Sequence, residues 1–144
     1  MDSVHEEQIM IRNILAVIAG LVIGSIVNMS LINLGHAVVG LPPGADVSTM
    51  EGVRAAMQQF GPKHFIVPFV AHAGGTLVGA FVAALIAASH KMKIALGIGI
   101  FFLLGGIGAG IYLGSPLWYN MIDFLFAYIP MAWLGAKLGR AGRT

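Results

Sequence analysis

The chain has 144 residues, of which 58 % are hydrophobic and only 10 % charged, against roughly a quarter charged in an ordinary soluble domain. None of its 8 basic and 6 acidic residues falls between Arg12 and Asp46, between Lys63 and Lys91, or between Lys93 and Asp123, and each gap exceeds the roughly 20 apolar residues that cross a bilayer core as a helix. A soluble domain is excluded on this pattern, the absence of cysteine excludes disulfides and thiolate chemistry, and a net charge of +2 gives no reason to expect nucleic acid as a partner.

The first apolar stretch predicts a span over about 11–35. The residues before it carry Asp2, Glu6 and Glu7, unlike the basic start of a secretory signal, and no small-residue cleavage site follows, so it reads as a retained helix. A second span is predicted over about 63–89. Pro62 suits its first helical position, where the missing N–H would lack a partner anyway. The third covers about 93–114. A tight break at Gly114-Ser115-Pro116 precedes the fourth, 116–139, with Ser115 as its cap and Pro116 as its first residue. Pro130 lies inside that span and is expected to kink it by removing a backbone bond. The fold class is therefore an all-α, four-transmembrane-helix bundle, a single membrane domain over 1–144.

With both termini cytoplasmic, six of the eight basic residues (Arg12, Lys91, Lys93, Lys137, Arg140 and Arg143) share the inner side, leaving Arg54 and Lys63 outside. Trp118 and Tyr119 then belong at the outer interface and Trp133 nearer the inner one. The long connection from His36 to Pro62 is also outside. Within it, Ser48-Thr49-Met50-Glu51 reads as a capping box, hydroxyl and carboxylate each satisfying a backbone donor. Met50, Val53, Met57 and Phe60 recur at helical spacing opposite Glu51, Arg54 and Gln58, which predicts an amphipathic helix over about 49–60. Its divided faces favour the outer headgroup layer over a lid on the bundle mouth.

Sliding the first span onto the third pairs Ala16 with Ala95, Gly20 with Gly99 and Leu34-Gly35 with Leu113-Gly114. Sliding the second onto the fourth pairs Ile66 with Ile122, Ala71 with Ala127 and Gly79-Ala80 with Gly135-Ala136. A duplicated helical hairpin accounts for this; so does chance sharing among apolar helices. Lipid gives helices no hydrophobic reason to associate, so close packing of small residues must supply one. Gly20 and Gly24, Gly75 and Gly79, Gly106 and Gly110, and Gly135 and Gly139 put such a pair on every span, for a compact bundle or for contact with another subunit.

The informative residues are the polar ones that lipid should exclude. Asp123 is the acidic residue well inside a span, and such a group must face protein or water with a partner. Asn28, His72 and Asp123 reach a similar depth, roughly 10 Å below the outer surface at 1.5 Å per residue. Each lies on the small-residue face of its helix, so the three are expected to meet, with Asn33, His36, His64 and Asn120 nearer the outer mouth. Three readings follow: a buried set that fixes helix register, a pocket or pathway with Asp123 and His72 as a titrating pair, or a metal site of His36, His64, His72 and Asp123. No HxxxH or HxxE spacing supports the last.

Catalytic motifs such as GxSxG and HExxH are absent, though a His72–Asp123 pair has the form of a base and its orienter. The expectation is a non-enzymatic, transport-related or accessory membrane subunit, with no cofactor expected. Its partners would be the lipid bilayer and a homo-oligomer or larger membrane complex. The alternative is a metal-binding or lipid-directed membrane enzyme using His72 and Asp123. Phe60-Gly61-Pro62-Lys63-His64-Phe65, Ala71-His72-Ala73-Gly74-Gly75-Thr76-Leu77-Val78-Gly79 and Ala127-Tyr128-Ile129-Pro130-Met131-Ala132-Trp133 resemble stretches of small four-span bacterial membrane proteins of no assigned activity. That resemblance implies a bacterial inner-membrane location and nothing about substrate.

Overall fold

The computed structural model describes residues 2–141. Its regular elements are all helices: α1 Asp2–Val39, α2 Met50–Ala56, α3 Pro62–Ile86, α4 Lys91–Leu113, α5 Leu117–Phe126 and α6 Ile129–Ala141, with a 3-10 turn, Met57–Gln59, closing α2. α1, α3, α4 and the α5–α6 pair are each long and apolar enough to cross a membrane.

α1 is longer than the expected span. Its 38 residues make roughly 57 Å of helix, well beyond a bilayer core of about 30 Å. The segment before Arg12 continues the helix, and Glu6 and Glu7 there favour the positive end of the helix dipole. The helix stops at Gly40, whose φ of 76° and N–H bond to the His36 carbonyl form a left-handed cap. Pro62 does open α3, as expected. That helix also runs unbroken through Pro68.

Three local expectations are corrected. The cap of α2 is Thr49, whose hydroxyl accepts from Gly52 N–H at 3.0 Å, while Ser48 turns back to Asp46. The position three residues past the cap is therefore Gly52, and Glu51 plays no part in a capping box. α5 begins at Leu117 with Pro116 as its cap, and Ser115 supplies no side-chain cap. The fourth span is broken rather than kinked: α5 ends at Phe126 and α6 starts at Ile129. A proline ring clashes with the carbonyl four residues back, here that of Phe126. As the second residue of α6, Pro130 needs no N–H of its own.

α3 is the central helix, packed against α1, α4 and α6. On one side Gly20 and Gly24 of α1 meet Gly79 and Gly75. A Cβ on Gly20 would stand 2.7 Å from the Gly79 carbonyl oxygen, and one on Gly24 2.8 Å from that of Gly75. On the other side Gly135 and Gly139 of α6 lie against the Leu77 and Phe81 carbonyls. Between α3, α4 and α6 the core is alanine: Ala80, Ala84, Ala95, Ala132 and Ala136. Small residues let backbones approach closely where larger side chains would hold them apart.

The turn between α3 and α4 is tied to α1. Asn13 accepts from the Ala88 and Ser89 N–H groups and donates to the Ser89 hydroxyl, and Arg12 donates to the Ile86 carbonyl at 2.6 Å. The long connection packs on the other end of α4, where Arg54 stands 5.5 Å from the centre of the Tyr112 ring. Trp118 is exposed, as an interface residue would be, but Tyr119 is buried against Phe65. It turns inward because it lies four residues before Asp123, on the same face of α5.

Candidate functional site

α5 carries Asp123 two turns from its start, on the face that packs inward, and the side chain is buried. A buried carboxylate is tolerated only with donors around it. Two are present. His72 of α3 brings Nδ1 to 3.0 Å and 2.9 Å from the two carboxylate oxygens, and the Tyr128 hydroxyl donates to Oδ2 at 2.9 Å. Tyr128 also stacks on the imidazole, with ring centres 5.6 Å apart.

The break between α5 and α6 makes this geometry available. In a continuous helix the residue five positions on lies about 140° around the axis, so Tyr128 would point away from Asp123. Residues 127 and 128 lie between the two helices, and there Tyr128 turns its hydroxyl back. Gly106 of α4 supplies the room, since that hydroxyl lies where a Cβ would be.

A carboxylate accepts and does not donate, so His72 carries its proton on Nδ1. In the neutral imidazole that leaves Nε2 as an acceptor. The imidazole is 22 % exposed, and His72 lines a cavity of about 300 Å³ between α1, α3 and α4. Asn28 and Ser25 of α1, Thr76 of α3, Phe102 of α4 and Tyr128 share its wall. The Thr76 hydroxyl is buried without a hydrogen-bond partner.

Of the three residues expected to meet, His72 and Asp123 do. Asn28 lies on the same cavity with its Cβ against Gly75, and no hydrogen bond joins it to the pair. The mouth residues are more dispersed. Asn33 is exposed. His64 is half-buried, accepts from the Gly61 N–H at 2.9 Å and stacks on Phe60, with His36 nearby. Asn120 holds the α4–α5 turn by donating to the Ser115 carbonyl at 3.2 Å. Among the described residues no three His, Asp or Glu side chains come together to hold a metal ion, so the four-residue metal set is not assembled. His64 is committed to Gly61 at the start of α3, two turns from His72.

Sequence reasoning missed Tyr128, Thr76 and Tyr119. Thr76 follows His72 by four, a spacing that marks one helix face. Tyr119 precedes Asp123 by the same interval, and its hydroxyl is buried close to the carboxylate. Comparison of the chain with protein-family models, with curated proteins and with solved structures finds no match.

Proposed function

We propose that this is a non-enzymatic multi-pass membrane protein, transport-related or an accessory subunit, whose working site is the His72–Asp123 pair. The single observation that carries this reading is the arrangement of donors. Asp123 is committed to His72 Nδ1 and to Tyr128, and His72 Nε2 is left facing a cavity. A pair that only fixed helix register would have no need of a cavity beside it. An imidazole held in one tautomer by a buried carboxylate can take up and return a proton at Nε2.

The same proposal places the chain in a bacterial inner membrane with both termini cytoplasmic. α1–α3 and α4–α6 are then the two copies of a duplicated hairpin. The paired positions Ala16 and Ala95, Ala71 and Ala127, and Ala80 and Ala136 are buried alike, whereas Gly35 lies inside α1 and its counterpart Gly114 caps α4. The partners are the bilayer and further subunits of a membrane complex.

The test is proton flux into liposomes containing the purified protein. The parent protein should carry flux, and Asp123→Asn should fold yet lose it. The amide oxygen can accept from His72 and the amide N–H can donate to the Tyr128 hydroxyl, so stability should change little. Asp123→Leu leaves the buried Tyr128 hydroxyl unpaired, at about 1–3 kcal/mol, strips His72 of its partner, and should unfold at lower temperature. Normal flux in folded Asp123→Asn, or none in the parent, would remove the titrating-pair reading.

A further inference from the structure

The cavity beside His72 has a direction. Its lips are Ser25 and Met29 on α1 and Gly105 on α4, all exposed. A Cβ on Gly105 would meet nothing within 4 Å. These residues lie well inside their spans, so what they face in a membrane is hydrocarbon. α1 and α4 both pack on α3 and touch each other little, which leaves the seam between them open. Along the helix axes, contacts between α1 and α3 and the Phe102 ring bound the space. Toward the long connection Leu31 lies against Gly74 and Val67 against Gly35, and toward the other end the Phe102 ring lies against Gly24 and Gly79.

Hydrocarbon cannot satisfy the polar groups this opening exposes. Two side chains on the wall call for a partner: His72 through Nε2 and Asn28 through its amide. With the imidazole neutral and Nδ1 donating to Asp123, Nε2 accepts and its partner donates. The volume of about 300 Å³ is about twice the roughly 150 Å³ cavity that holds benzene in an engineered core. The Phe102 and Tyr128 rings beside it suit an aromatic guest.

We infer that the cavity binds the head of a lipid-soluble aromatic alcohol, a phenol or quinol, which enters sideways between α1 and α4 and donates its hydroxyl to His72 Nε2. This rests on the His72–Asp123 pair being the working site. Within it, Asp123 and Tyr128 are positioning residues that fix the tautomer, and Asn28 takes up the second hydroxyl where the ring carries one.

The experiment is calorimetric titration of the protein in nanodiscs with a short-chain benzoquinol, kept reduced, and with its dimethyl ether. The ether has the same ring and no donor. The parent should bind the quinol at one saturable site and the ether at least tenfold more weakly. His72→Ala should abolish that discrimination. Gly105→Trp places a ring at the lip from a position where the Cβ meets nothing within 4 Å, and should block the quinol while the thermal transition is kept. Equal binding of quinol and ether, no binding of either, or discrimination that survives in His72→Ala would overturn the inference. Flux measured on the same protein in liposomes separates the two readings. Discriminating binding without flux removes transport and keeps the ligand, whereas flux without binding does the reverse.

Discussion

Among the described residues two carboxylates accept from hydroxyl groups, Asp46 from Ser48 in the connection and Asp123 from Tyr128 among the helices. Asp46 is the simpler case. The Ser48 hydroxyl and N–H, at 2.7 Å and 2.9 Å, stabilise its charge and hold its carboxyl below the ordinary carboxylate range. A carboxyl depressed in the folded state contributes stability above its unfolded value and loses it as pH falls through the folded one. The turn before α2 should therefore stay closed at neutral pH and loosen only below the usual carboxylate range. The Ser48 amide resonance should follow that transition, and Asp46→Asn should remove it. A Ser48 amide that titrates at the ordinary Asp value would contradict this account. Asp123 and His72 were legible in the sequence because each is an ionisable residue in an apolar run. Tyr128 was not, because a tyrosine in such a run looks like packing, and regular helix geometry points it away from Asp123. Only the break ahead of Pro130 brings it back.

At the scale of elements, the glycine pairs were readable as a packing device, but which helix each would meet was not. Spacing fixes a face, and the partner is set by tertiary arrangement. The structure turns the Gly20–Gly24 pair on Gly75–Gly79, and Gly135–Gly139 on the opposite side of α3. The ends of α2 and α5 were misplaced by one residue for a related reason. Ser48 and Thr49 are both good caps, as are Ser115 and the turn itself, and the choice follows from where Asp46 and Gly114 direct the chain. The packing predicts a contrast between two glycines of similar helical setting. A Cβ at Gly79 would stand 2.6 Å from the Gly20 carbonyl oxygen, whereas one at Gly105 meets nothing within 4 Å. Gly79→Ala should push α1 from α3 at a cost of about 1–3 kcal/mol. Gly105→Ala should be neutral or gain up to about 1 kcal/mol through helix propensity. Thermal unfolding followed by circular dichroism in mild detergent measures both, and equal transitions for the two variants would show that the α1–α3 approach is not limiting.

The whole molecule has two unlike ends, and charge distinguishes them. At one end the α3–α4 turn is tied to α1 through Arg12 and Asn13, and His90, Lys91, Lys93 and Arg140 surround a single cavity. Lys137 lies one turn before Arg140, its ammonium 4.0 Å from the centre of the Trp133 ring. Arg143, which completes the basic set, lies outside the described residues. The other end has Arg54, on the Tyr112 ring, and Lys63. Basic residues near the ends of spans are retained on the cytoplasmic side, so the Arg12–Lys93–Arg140 end should face the cytoplasm and the long connection the outside. The chain has no cysteine, which makes the orientation directly measurable. Ser48 and His90 are exposed at opposite ends, so a thiol at either can react. In intact cells an impermeant maleimide should label Ser48→Cys, and should label His90→Cys only after the membrane is opened. The reverse pattern would invert the orientation and place the basic end outside.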